Sequence, residues 1–160
     1  MAVIHPYAGY ASKNWLDERF SELIEVLCKD YNIQAILVGS KDDKEKINNI
    51  IAKSKTREVN IAGKTTLSEL LVLIKRADIF IGVDSGPSHI AASVERPSVI
   101  LYSGTNDPRE WGVRNPNAVV IQKDITCKGC ERLDCEENIC MDMISVEDVL
   151  EAVQRVLVYE

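Results

Sequence analysis

The chain has 160 residues, 46% of them hydrophobic and 28% charged, with a formal net charge of −6. That is one domain of ordinary size with enough apolar content for a core. The acidic balance argues against a nucleic-acid partner, and no run reaches the roughly 18 apolar residues of a membrane span. No basic segment followed by an apolar stretch and a small-residue cleavage site opens the chain, so no signal peptide is visible and a cytoplasmic location is expected.

Short apolar runs alternate with helical periodicity, which predicts an α/β fold: a Rossmann-like parallel sheet of about six strands with helices on both faces. The first expected strand is Ala2–His5. It runs into His5-Pro6-Tyr7-Ala8-Gly9, and a helix opens near Ser12-Lys13-Asn14-Trp15. A small-residue turn before a helix lets backbone amides face an anion, and Lys13 adds a positive charge suited to phosphate. An ordinary βα turn with a solvated lysine is the other reading, and both stay open. Leu16, Phe20, Leu23, Ile24, Leu27 and Tyr31 then share one helix face. Cys28, on the same helix, reads as a core residue.

The second strand, Ile33–Val38, leads to Gly39-Ser40-Lys41-Asp42-Asp43. An acidic residue at this place in such folds often binds a ribose hydroxyl, and it also suits the positive end of the next helix. Ile47, Ile50 and Ile51 mark that helix. After the strand Glu58–Ile61, the capping box Thr66-x-x-Glu69 opens a helix striped by Leu67, Leu70, Leu71 and Ile74.

Residues 78–107 are the most informative stretch. The buried strand Ile79–Val83 runs straight into Asp84-Ser85-Gly86-Pro87-Ser88-His89. Pro87 fits the first turn of a helix, and Gly86 permits close approach of a ligand. Asp84 is either a helix cap or a carboxylate for neutral hydroxyls, as on a sugar, since it would repel a diphosphate. His89 by itself reads as a packed or hydrogen-bonded histidine. Pro97 releases the chain into the strand Ser98–Tyr102. The expected ligand edge is the carboxyl end of these strands.

Two long gaps, residues 103–117 and 123–143, flank the last strand, Ala118–Ile121. The final helix, Val146–Leu157, starts from Ser145 and carries Val149, Leu150, Val153 and Val156. The second gap holds Cys127-x2-Cys130-x4-Cys135-x4-Cys140. Four thiolates in a reducing compartment can hold a structural zinc ion, while two disulfides, an iron–sulfur cluster and free thiols are the alternatives. The cluster reads as a staple for a long loop, not as a catalytic group.

Taken in order, HPYAGYASKNW at 5–15, LVGS and the acidic residues at 37–43, NIAGKTTLSELLVLI at 60–74, ADIFIGVDSGPSHIAA at 77–92 and RPSVILYSGTNDPREW at 96–111 resemble glycosyltransferase family 9. These are the ADP-heptose:lipopolysaccharide heptosyltransferases and their relatives. The resemblance covers nearly the whole chain. It implies a GT-B enzyme, with two Rossmann-like domains facing a cleft, of which residues 1–160 match the C-terminal, donor-binding domain with a Cys-rich loop at 123–143.

Residue by residue, the resemblance implies that Lys13 contacts the donor diphosphate beside the Ala8-Gly9 turn. Asp42 is the nearest match to the acidic ribose-binding residue, with Lys41 standing at the matching position. Lys64 and Thr65 fall where the family contacts the base. Asp84, Ser85 and Gly86 form the motif that touches sugar and phosphates, and His89 matches its histidine. The implied donor is ADP-heptose or a similar nucleotide-sugar, and the implied acceptor is a glycan or lipid A-core that docks through a missing N-terminal domain. That domain would also supply the general base, so no catalytic residue is expected here. No catalytic cofactor is implied, and the full enzyme would work in the cytoplasm or peripherally at the inner membrane. Met1-Ala2 just before the first strand reads as a cut at a domain boundary. The competing reading is a stand-alone, non-catalytic nucleotide or nucleotide-sugar binding module. An NAD-binding domain is disfavoured, since G-x-G-x-x-G does not follow the first strand.

Overall fold

The computed structural model describes residues 1–157. Six strands form one parallel sheet: β1 (Ala2–His5), β2 (Ala35–Leu37), β3 (Val59–Asn60), β4 (Ile79–Val83), β5 (Ser98–Leu101) and β6 (Ala118–Ile121). Their spatial order is β3-β2-β1-β4-β5-β6. The chain winds outward from β1 in one direction, then returns to place β4 on the other side. The order therefore reverses between β1 and β4, and ligands in such sheets bind outside the carboxyl ends at that crevice.

The helices among the described residues are α1 (Asp17–Asp30), α2 (Lys44–Ser54), α3 (Leu67–Arg76), α4 (Gly86–Ser93), α5 (Pro108–Trp111), α6 (Ile139–Asp142) and α7 (Val146–Leu157). A 3₁₀ turn, Ala11–Lys13, precedes α1. Period-two alternation along each strand divides the core into two layers. Ala2, Ile4, Leu37, Ile79, Ile81, Val83, Val99 and Leu101 face α1, α2 and α7. Val3, Val38, Phe80, Ile100 and Tyr102 face α3 and α4. Both sides of the sheet are covered, as near-continuous apolar strands require.

Three of the expected strands match residue for residue, and the other three are one to three residues shorter than expected. The capping box is present. Thr66 Oγ1 accepts from the Glu69 amide and the Glu69 carboxylate accepts from the Thr66 amide. The α3 stripe needs a correction. Leu70 and Ile74 are buried, whereas Leu67 and Leu71 are exposed, because α3 meets the sheet along a single narrow ridge. Cys28 is half-buried instead of packed in the core. Two short helices, α5 and α6, occupy the gaps read as loops.

Candidate functional site

The turn after β1 and the turn after β4 come together at the reversal point. His5 pairs with Gly82 across these two strands. A Cβ on Gly82 would stand 2.8 Å from the His5 carbonyl oxygen, so a glycine lets the strands close up beneath the site. Beyond them, Lys13 Nζ donates to Asp84 Oδ2 at 2.6 Å. The two side chains are only 15% and 7% exposed. Asn106, from the segment after β5, donates to the same carboxylate oxygen at 3.3 Å. The Asp84 amide is held by the Leu101 carbonyl at 3.0 Å. Three loops thus converge on one carboxylate.

Burial of a lone carboxylate is costly, and pairing with Lys13 offsets part of that cost. A lysine ammonium has three N–H donors. One is used on Asp84, leaving two for an incoming oxyanion. The pair therefore presents a cation without exposing an unscreened carboxylate beside it, which removes the repulsion expected between Asp84 and a diphosphate. Asp84 sits 6% exposed, as a floor. Tyr102, buried behind it, has its phenol pushed upward by burial and by the Asp84 charge. Its hydroxyl donates to the Trp111 carbonyl at 3.1 Å and stays protonated there.

The Lys13 turn is tied down from both sides. Asn14 Oδ1 accepts from the Ala8 amide at 2.7 Å, closing the turn that carries the exposed Gly9. Ser12, 1% exposed, donates its hydroxyl proton to the Arg132 carbonyl at 2.7 Å, with the Leu133 carbonyl 3.1 Å from the same oxygen. Asn138 Nδ2 donates to the Asn14 carbonyl at 3.1 Å, and Trp15 Nε1 to the Ile144 carbonyl at 2.9 Å. The cysteine segment therefore clasps the turn that presents Lys13.

On the β4 side, Ser85 is the residue before α4. Its amide faces Ser88 Oγ at 3.4 Å, and Ser88 Oγ donates to the Ser85 carbonyl at 2.6 Å. Gly86 is exposed with open space where a Cβ would stand. His89 is exposed, about one turn into α4. Lys64 and Thr65 lie between β3 and α3, at the same carboxyl rim as the reversal point, where the Gly63 amide donates to the Gly39 carbonyl at 3.0 Å. Asp42 is exposed after β2. Its neighbour Asp43 is the one engaged locally, accepting from the Ser40 amide at 2.8 Å and the Ser40 hydroxyl at 2.5 Å. So Lys13 and Asp84 meet directly, Ser85 and Gly86 follow on the same turn, and Asp42, Lys64 and Thr65 lie further along the rim. Sequence reasoning missed Asn106 and Ser12, whose partners are supplied by distant segments.

Cys127, Cys130, Cys135 and Cys140 all line one cavity of about 240 Å³ with Ser12, Gly104 and Thr105. All five cysteines are free thiols. Among the described residues no three His, Cys, Asp or Glu side chains stand close enough to share an ion. The donor chemistry suits a thiophilic metal, and the common cavity suits it, but the thiols would have to draw together around it. Disulfides, one of the alternatives to a metal staple, do not join these cysteines.

The family described as Glycosyltransferase family 9 (heptosyltransferase) matches residues 1–140. Lipopolysaccharide heptosyltransferase 3 of Escherichia coli K12 is 33% identical over 158 residues, covering 97% of this chain and 46% of that protein. The structure of E. coli ADP-heptose lps heptosyltransferase II superposes with a TM-score of 0.84 at 29% identity, covering 99% of this chain and 46% of the other. E. coli heptosyltransferase WaaC, solved with ADP, has a TM-score of 0.77 at 21% identity over 97% of this chain and 43% of its own. The chain spans about half the length of the relatives it matches.

Proposed function

The chain belongs to glycosyltransferase family 9, and from that premise we propose that it is the donor-binding half of an inverting, GT-B heptosyltransferase of lipopolysaccharide or related glycan synthesis, holding a nucleotide-sugar of the ADP-heptose kind. The observation that carries this reading is the contact between Lys13 and Asp84 at the sheet's reversal point. Further support comes from WaaC, whose solved structure contains ADP and shares this fold.

Transfer from a nucleotide-sugar breaks the bond between the anomeric carbon and the diphosphate, and the departing group gains negative charge. Stabilising that charge with fixed donors lowers the barrier. Lys13 supplies a cation beside it, and the N-terminus of α4 supplies an oriented dipole. Asp84 accepts from sugar hydroxyls, and the Ser85 and Gly86 turn lies against sugar and phosphate. Asp42, Lys64 and Thr65, along with Ala8, Gly9 and His89, complete the rim around ribose, base and phosphate. The acceptor hydroxyl must lose a proton, and its base belongs to the half of the enzyme that also binds the glycan or lipid A-core acceptor.

We further assign the four-cysteine cavity as a structural staple able to hold zinc through Cys127, Cys130, Cys135 and Cys140. A bound ion would join the loop ends as four thiolates and take no part in transfer. Metal analysis of freshly purified, reduced protein tests this, and protein with less than a tenth of an equivalent of any metal contradicts it.

The donor-half assignment is tested by a transfer assay with ADP-heptose and acceptor. The expected result is donor binding without turnover by the 160-residue chain, and turnover once the complementary domain is present in the same polypeptide. Transfer at enzyme-like rates by the chain alone contradicts it.

A further inference from the structure

His5 is a buried ionisable side chain, 8% exposed at the carboxyl end of β1, that the proposed chemistry does not use. Its Nδ1 stands 3.2 Å from Ser85 Oγ, although the two residues are 80 positions apart. Ser85 Oγ also lies 3.1 Å from the Val83 carbonyl, to which it donates. A hydroxyl has one proton. With that proton on Val83, Ser85 accepts from the protonated Nδ1 of a neutral imidazole, and both groups are satisfied.

This arrangement departs from what a serine in this position ordinarily does. The residue before a helix usually turns its side-chain oxygen onto the second or third amide of the helix. Ser85 and Ser88 stand in capping-box positions, yet the hydrogen bonds of Ser85 Oγ run to His5 and to the Val83 carbonyl. Pro87 has no amide to offer, and the Ser88 amide is taken by the Ser85 carbonyl at 3.1 Å. Its hydrogen bonds thus tie the hydroxyl to the ends of β1 and β4, while Gly86 leaves open space at the start of the helix.

We propose that His5 is a positioning residue for the donor site: its Nδ1 fixes the Ser85 hydroxyl and so keeps the start of α4 clear for the donor's phosphate oxygens. The inference rests on the donor-site reading. It separates His5 from a general base, since burial holds the imidazole down at about 4, and such a group is a poor proton acceptor for a serine. A neutral ring throughout the physiological range keeps this hydrogen bond unchanged with pH.

The experiment is a calorimetric ADP titration of wild-type chain, His5→Asn, His5→Leu and Ser85→Ala, with both His5 variants repeated on the Ser85→Ala background. Asn places an amide N–H near the position of Nδ1, whereas Leu has no donor. The expected result is about tenfold weaker ADP binding for His5→Leu, on the order of one net hydrogen bond, and wild-type affinity within about threefold for His5→Asn. The His5→Leu penalty should disappear when Ser85 is already Ala, and the ratio of wild-type to His5→Asn affinity should stay flat from about pH 6 to 8. Thermal unfolding of each variant checks that it folds, and the Asn variant carries the test should Leu fail to. Equal losses for Asn and Leu, or an undiminished His5→Leu penalty without the Ser85 hydroxyl, overturn the inference. A wild-type chain that binds no ADP overturns the donor-site reading itself, and this inference with it.

Discussion

Lys13 and Asp84, 71 residues apart, meet at 2.6 Å with side chains only 15% and 7% exposed. One comes from the turn after β1 and the other from the turn after β4, so the pair spans the point where the sheet order reverses. A pair this enclosed is expensive to break from one side. Removing a single partner of a buried pair typically costs ~3–5 kcal/mol, mostly through the charge left behind. Lys13→Ala should therefore lower stability by about that order, and adding Asp84→Asn should restore much of it. Urea melts of the two single variants and the double variant measure this. Additive losses would mean that the two side chains do not act as a pair.

His5 gives a second prediction, on pH. Its folded-state value is lowered from 6.5 to about 4, chiefly by burial, with Asp43 opposing. The unfolded chain therefore binds a proton that the folded chain refuses between these values. Stability is fully present above about pH 6.5 and falls as the pH drops toward 4, by about 3 kcal/mol in all. His5→Asn should remove this slope. Chemical denaturation at stepped pH reads it directly, and an unchanged slope in the variant would assign the acid sensitivity elsewhere.

Gly82 carries a third prediction. A Cβ there would lie 2.8 Å from the His5 carbonyl oxygen and 3.1 Å from the Phe80 ring. Since the first neighbour is backbone, β1 and β4 must part to admit it. Gly82→Ala should cost ~1–3 kcal/mol, as overpacking does, and should weaken ADP binding as well. Gly9→Ala is the control for stability alone, because nothing lies within 4 Å of its Cβ position. Equal melting temperatures for the two variants would show that the strands do not need this close approach.

The hydroxyl of Ser12 links the Lys13 turn to the cysteine segment through the Arg132 and Leu133 carbonyls. Ser12→Ala should loosen residues 129–135, seen as faster amide hydrogen exchange there with β1 and β4 unaffected. Stability should fall by ~0.5–1.5 kcal/mol, the net worth of an ordinary hydrogen bond, since the two carbonyls belong to exposed residues that water can reach. Unchanged exchange across 129–135 would separate the two segments.

Much of this fold was legible because its signals are local. Strand periodicity located Ala2–His5, Ile79–Val83 and Ala118–Ile121 without adjustment, and Thr66 with Glu69 announced α3 four residues ahead of its first buried leucine. Lys13 and Asp84 stood out because small-residue turns at strand ends point to a ligand edge. That they touch depends on the strand order, which residue chemistry alone does not state. The same holds for Ser12 with Arg132 and His5 with Ser85, whose partners lie 120 and 80 residues away. The helices Pro108–Trp111 and Ile139–Asp142 went unseen because four residues complete barely one turn and show no period. Leu67 and Leu71 misled because spacing marks a stripe without saying how wide a contact the sheet offers.

On the proposed reading, the rim between Lys13 and Asp84 grips a sugar joined to a nucleotide. Calorimetric titration of the wild-type chain and of Lys13→Ala with ADP, with UDP and GDP alongside, tests it most directly. ADP is expected to bind the wild-type chain in preference to UDP and GDP, and to lose at least tenfold in affinity when the lysine is removed. Wild-type chain that takes up none of the three, or ADP binding indifferent to Lys13→Ala, would contradict it.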